Sequence, residues 1–334
     1  MFTLILSLLI LGSVIPAWAR PIAGSSPSST TFQTQIIYQS PNSLFLENIA
    51  VRNSSDLLLT SVFSPTLFTL NSNVINGTLN PVHTFPNATS LTGITEYLPG
   101  VFAVAASVTN TTTRESVPGS TIVWSVDFNG QSPAVQPLAQ LPGNASANGL
   151  TSISSPTSNK ALVLAADSEV GAIWQINAST GDTNLVIQDA SMLPNAPPPA
   201  LGINGVHVDL ASRSLFFTNS AQGTFSRLAF RMENGNVTPV GGVETMANIL
   251  STGQPDDFAL DRQGRAWVAV HPGALVLLSP SKNAGNLTQI TAVGNAQGTD
   301  PELEQPTSAA FGPGNILYVT TGVGQVVTVD TSQA

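Results

Sequence analysis

Between Asn48 and Val329 one pattern recurs six times: an apolar alternating run, a polar turn, a second apolar run, a short turn and a third run. The clearest copy is LGINGVHVDLASRSLFFTNS, residues 201–220, which continues into TFSRLAF. The units open at Asn48, Gly93, Gly149, Gly205, Asp257 and Thr307, 45 to 56 residues apart. The turns carry the expected residues, such as Pro99-Gly100, Asp261 to Gly264 and Gly312 to Asn315. No segment holds a helical period over a dozen residues. Three or four short strands at such a spacing are the signature of β-propeller blades, so the sequence predicts an all-β, six-bladed β-propeller over residues 32–334. Fourth strands are expected between the units, at 135–141, 183–188, 237–245 and 288–292. The isolated run TQIIYQ (34–39) is expected to close the ring by pairing into the last blade. That would hide the sheet edges.

Closure matters because the chain has no cysteine. It has neither a disulfide to hold it nor a thiol nucleophile. Charged residues are 9% of the chain, and ten Lys+Arg against nineteen Asp+Glu give a net charge of -9. That balance argues against nucleic acid as a partner, and against a basic membrane-binding face.

The amino-terminal run from Phe2 to Ile15 is apolar, Pro16 breaks it, and Ala17-Trp18-Ala19 supplies small residues before Arg20. This reads as a signal peptide over 1–19, followed by a Ser/Pro-rich leader over 20–31. The apolar run falls short of the ~20 residues that a membrane span needs, so no membrane association is expected after cleavage. Eight N-x-Ser/Thr sequons agree with a secreted or secretory-lumen protein carrying N-glycans: Asn53, Asn76, Asn87, Asn110, Asn144, Asn177, Asn236 and Asn286.

In a propeller, residues just before the innermost strands converge at one mouth of the central channel. In that phase stand Glu47, Asn148, Asn204 and Asp256. Taken singly, the two Asn read as turn residues, Glu47 as a solvated loop carboxylate and Asp256 as a residue at a strand start. Together they make an all-oxygen set suited to Ca²⁺ or another hard divalent cation.

The stretches LENIAV, ANGLTS, INGVHVDLASRSLFFTNS and QPDDFALDRQGRAWVAV resemble the senescence marker protein/gluconolactonase/luciferin-regenerating (regucalcin-like) family. The resemblance implies a six-bladed propeller with one divalent cation at the channel mouth, held by Glu47, Asn148, Asn204 and Asp256. It also implies that Asp256 is an acid/base in lactone opening. Three departures stand out. Asp257 replaces a family Gly, Asn219 replaces a family Asp, and Ser146 stands where lactonase members tend to carry an Arg. The chain is also similar in type to the secreted fungal subgroup that includes hetero-Diels–Alderases of secondary metabolism.

Three functions follow as expectations. The first is a hetero-Diels–Alder cycloaddition, joining a polyketide-derived tropolone quinone methide to a terpene such as humulene in a channel more apolar than a sugar-acid site. The second is a divalent-metal-dependent lactonase, and the third is a non-enzymatic binding propeller in which the cation is structural only. The catalytic candidates are Asp256, Asn204, His207 and Asn219. Trp124, Trp267 and His271 are further pocket candidates, although each Trp sits in an apolar strand, where a core role is the commoner one. No phosphate loop, G-x-S-x-G elbow or H-E-x-x-H is present.

Overall fold

The run Leu57-Leu58-Leu59 shows how the sequence builds the ring. Successive residues of a strand face opposite sides of its sheet. Leu57 and Leu59 pack with Tyr318 and Val326 of the last blade, whereas Leu58 packs with Phe102 and Val104 of the second. Strands buried on both faces therefore read as continuous apolar runs, and AVAAS, ALVLAA and AWVAV repeat the device.

The computed structural model describes residues 32–52, 56–110, 112–113, 115–154, 160–197, 200–280 and 287–334. The expected signal peptide (1–19), the leader (20–31) and the sequons Asn53 and Asn286 lie outside these residues. Six antiparallel sheets form six blades, spanning 46–84, 90–140, 150–188, 203–248, 254–294 and 306–330. Each sheet meets its neighbours through one of six apolar clusters among the described residues, one cluster per seam. The one helical element described is a 3₁₀ turn, Ala190–Met192.

The first strand, Thr34–Gln39, pairs antiparallel with Gln325–Asp330, the last strand of the chain. Blade six is thus built from both ends of the described chain, as the isolated TQIIYQ run predicts. The strand brings Ile37 and Tyr38 into the seam with blade one, and Phe32 packs edge-to-face on Trp267 at 5.1 Å.

The fourth strand of blade four departs from the single run expected over 237–245. It is split into Asn236–Pro239 and Glu244–Asn248, which pair with different halves of the long strand Thr224–Glu233. Pro239 has no N–H for the ladder, and Gly241 takes a positive φ of 78° that ends the first piece. Blade one has its fourth strand at Asn80–Thr84, where Pro81 and the polar residues Asn80, His83 and Thr84 hid it.

Candidate active site at the channel mouth

The innermost strands are not regular. In five blades their pairing with the second strand skips at the same phase: at 47–48, 92–93, 204–205, 256–257 and 307. A β-bulge of this kind re-aims side chains out of the ladder. It presents Glu47, Thr92, Asn204 and Asp256 to one cavity, where Asn148 of blade three joins them.

A bulge leaves backbone groups without ladder partners, and threonines of the second strands take them up. Thr60 Oγ1 accepts from the Asn48 amide in its own blade at 2.9 Å and donates to the Thr92 carbonyl of the next at 2.6 Å. Thr218 does the same for the Gly205 amide at 3.0 Å and the Asp256 carbonyl. Thr92 Oγ1 donates to Ala147, Thr320 to Glu47, Ser168 to Ile203 and Ser220 to Pro255, each across a seam. Glycine at 93, 149 and 205 permits the close approach. A Cβ at Gly149 would lie 2.5 Å from the Asn204 carbonyl oxygen.

The cavity is about 620 Å³. In its lining the Asp256 carboxylate lies 3.0 Å from His271 Nε2. Burial pushes the Asp256 carboxyl above the ordinary carboxylate range, opposed by the hydrogen bond and charge of His271. Asn204 Nδ2 donates to Ser220 Oγ at 2.9 Å, while its Oδ1 is buried with no hydrogen-bond partner. Ser90, Thr92, Ser107, Thr109, Ser116 and Ser146 contribute hydroxyl-bearing side chains to the walls. Phe45 and Phe63, 5.7 Å apart edge-to-face, line it with Pro197 and Leu201. No Lys or Arg is among the described lining residues. The chamber is less apolar than the low charge suggested, because Ser and Thr supply polarity without charge.

Glu169 lines the same cavity and escaped the sequence reading. Its Oε1 accepts from the Ser116 amide at 2.7 Å, and burial raises its carboxyl above the ordinary value, with the charge of Asp167 adding to the rise. The available signal was position: Asp167-Ser168-Glu169 follows the second strand of blade three as Asn219-Ser220-Ala221 follows that of blade four. Asp167 is fully buried, held by Trp174 Nε1 at 3.0 Å and by three backbone amides; burial raises its carboxyl as well.

Three candidates fall outside the cavity lining, and His207 is a fourth. Trp124 packs against Phe85 in the seam of blades one and two, and Trp267 is in the seam of blades five and six. Their apolar strands place them in the core. Asn219 is fully buried and fully used. Its Nδ2 donates to the Ser191 and Leu193 carbonyls, and its Oδ1 accepts from the Gln222 amide at 2.9 Å. It pins the 3₁₀ turn to blade four, which is not a catalytic task. Asn219→Ala is expected to lower unfolding stability by about 1–3 kcal/mol, because it strands buried carbonyls. Denaturant unfolding checks this, and an unchanged midpoint would refute it. His207 is not in the cavity lining, and its Nε2 lies 3.0 Å from Asp257 Oδ1.

Three comparisons bear on this site. Residues 169–323 match the family described as "SMP-30/Gluconolactonase/LRE-like region". A Phoma sp. protein named "Putative hetero-Diels-Alderase" is 25% identical over 350 residues, covering 96% of this chain and 95% of that protein. Among solved structures, the calcium-binding protein regucalcin from Agrobacterium tumefaciens superposes with a TM-score of 0.59 at 16% identity, covering 90% of this chain and 94% of that one. A gluconolactonase from Xanthomonas campestris gives 0.59 at 13% identity, covering 90% and 89%. The chain is a six-bladed β-propeller that carries an SMP-30/gluconolactonase/LRE-like region over residues 169–323 and is similar, across nearly its whole length, to the Phoma protein.

Proposed function

We propose that the chain is a hetero-Diels–Alder catalyst that joins a polyketide-derived tropolone quinone methide to a terpene such as humulene. The observation that supports this most is the cavity itself. At about 620 Å³ it is within the usual size range for an organic ligand. Its described lining has no Lys or Arg to grip a sugar acid, and the chain has no thiol. A cycloaddition needs orientation rather than a nucleophile, and holding two reactants in a reactive pose can supply several kcal/mol. Phe45, Phe63, Pro197 and Leu201 suit the hydrocarbon partner. A proton carried by the Asp256–His271 pair suits the quinone-methide carbonyl, whose oxygen gains charge as the bonds form.

Glu47, Asn148, Asn204 and Asp256 fit a hard divalent cation. They line one cavity, and the orphaned Asn204 Oδ1 is a buried oxygen of the type such an ion accepts. A bound Ca²⁺ would act as a Lewis acid toward a carbonyl oxygen, or hold the mouth together. The same four oxygens favour a second reading, a metal-dependent lactonase with Asp256 as acid/base. The wall residue Ser146 offers no cation to an acidic substrate.

Purified protein incubated with the quinone-methide precursor and humulene separates the two readings. The first expects a cycloadduct of one hand, formed faster than without protein. A racemic product at the background rate overturns it. Hydrolysis of a sugar lactone that disappears on chelation would favour the second.

Secretion after removal of residues 1–19, with N-glycans, belongs to the same proposal. No helix among the described residues is long and apolar enough to cross a membrane. Asn76, Asn87, Asn110, Asn144 and Asn236 are exposed and Asn177 is half-buried, so none of these sequons lies in the closed core.

A further inference from the structure

Next along each inner strand after the cavity-lining positions stand Asn48, Gly93, Gly149, Gly205, Asp257 and Ser308, four of them in the bulges. Three blades have glycine there. The other three have polar side chains that meet. Asp257 Oδ2 accepts from Asn48 Nδ2 at 2.9 Å and from Ser308 Oγ at 3.1 Å. Asp257 Oδ1 accepts from the Phe258 amide at 2.8 Å and lies 3.0 Å from His207 Nε2. Ser308 Oγ also lies 3.2 Å from Asn48 Oδ1. The carboxylate is tied to blades one, four and six, and it fills the space above Gly205, where a Cβ would sit 2.2 Å from Oδ1.

None of Asn48, Asp257, Ser308 and His207 lines the cavity. The first three are 5%, 5% and 0% exposed, whereas the His207 side chain is 31% exposed. These three side chains are buried outside the cavity lining, whereas His207 is partly exposed without lining the cavity.

We propose that Asp257, with Asn48 and Ser308, is a plug that seals the central channel and keeps water from reaching the base of the cavity from below. The consequence rests on the cycloaddition reading. A quinone methide is consumed by water: the water oxygen bonds to the exocyclic carbon and a proton goes to the carbonyl oxygen, giving an alcohol. With both reactants filling the mouth, the channel is the remaining route for water, so the plug selects cycloadduct over water adduct. In this role Asp257 is a positioning residue that touches no reacting atom.

Asp257→Gly installs the residue that blades two, three and four already carry at this position, while Asp257→Asn keeps the side-chain volume. Two readouts apply to each variant, with thermal melting to confirm folding. The first is the ratio of cycloadduct to water adduct. The second is hydrogen exchange at the Gly205 amide, which is bonded to Thr218 Oγ1 and not to Asp257. Asp257→Gly is expected to lower the ratio several-fold and to speed Gly205 exchange by about tenfold, as local opening to water does. Asn48→Ala should shift both in the same direction, and Asp257→Asn should leave both near wild type. A folded Asp257→Gly protein with unchanged Gly205 exchange overturns the plug, whatever the products. If wild type gives no cycloadduct at all, the reaction reading fails while the exchange measurement still decides the seal. Faster exchange with an unchanged product ratio overturns the selective role.

Discussion

Asp256→Ala should lower kcat/KM for cycloadduct formation by about 10²–10³, the usual cost of losing one preorganised donor at a developing oxyanion. The substitution removes the partner of His271, 3.0 Å away, and one of the four oxygen-bearing side chains of the quartet that lines the cavity. His271→Ala should cost a similar factor, and the double variant little more than either single one. Two groups joined by one hydrogen bond act as a unit, so their losses do not add. Steady-state kinetics on the four proteins decides this. Single variants at the wild-type rate, or losses that multiply, would place the proton donor elsewhere in the cavity.

A chain beginning at Ser40 should lose cooperative folding. It lacks Thr34–Gln39, so Gln325–Asp330 becomes an open edge and blade six keeps three strands. Phe32, Ile37 and Tyr38 leave the two seams that flank that blade. At roughly 1.5–3 kcal/mol for each large side chain, the loss is about 5–9 kcal/mol. A domain holds only about 5–15 kcal/mol in all. The exposed edge also templates pairing between chains. Size-exclusion chromatography should show oligomers, and circular dichroism a broad melt. A monomer with the parent melting temperature would mean that the ring does not depend on this strand.

The ring was legible in the sequence because burial on both faces writes each inner strand as an apolar run, and turns punctuate those runs at a steady interval. TQIIYQ was legible as the closing strand because blade six otherwise ended one strand short at Val329. The cavity quartet was legible through phase alone, since Glu47, Asn148, Asn204 and Asp256 precede equivalent strands. The bulges were not. A skip of register leaves the alternation of LENIAV or INGVHV looking regular, so the sequence does not say that Asn48 and Asp257 turn inward while Glu47 and Asp256 face the cavity. Asn219 and His207 misled for a related reason: a polar residue in an apolar strand reads the same whether it faces a substrate or a carbonyl. Glu169 was hidden because its partner, the Ser116 amide, comes from another blade, 53 residues away.

The threonine and serine hydroxyls that cross the seams carry a consequence for modularity. The six blades look interchangeable, yet the bulged carbonyl of Thr92 depends on Thr60 of the preceding blade, and that of Asp256 on Thr218. A blade transplanted from a relative would bring its own bulge but not the hydroxyl that completes it. Recombination between such propellers should therefore succeed at junctions inside a blade, between its first and second strands, where the cross-seam donor and acceptor travel together. It should fail at the loops between blades, where sequence repeats alone would place the cut.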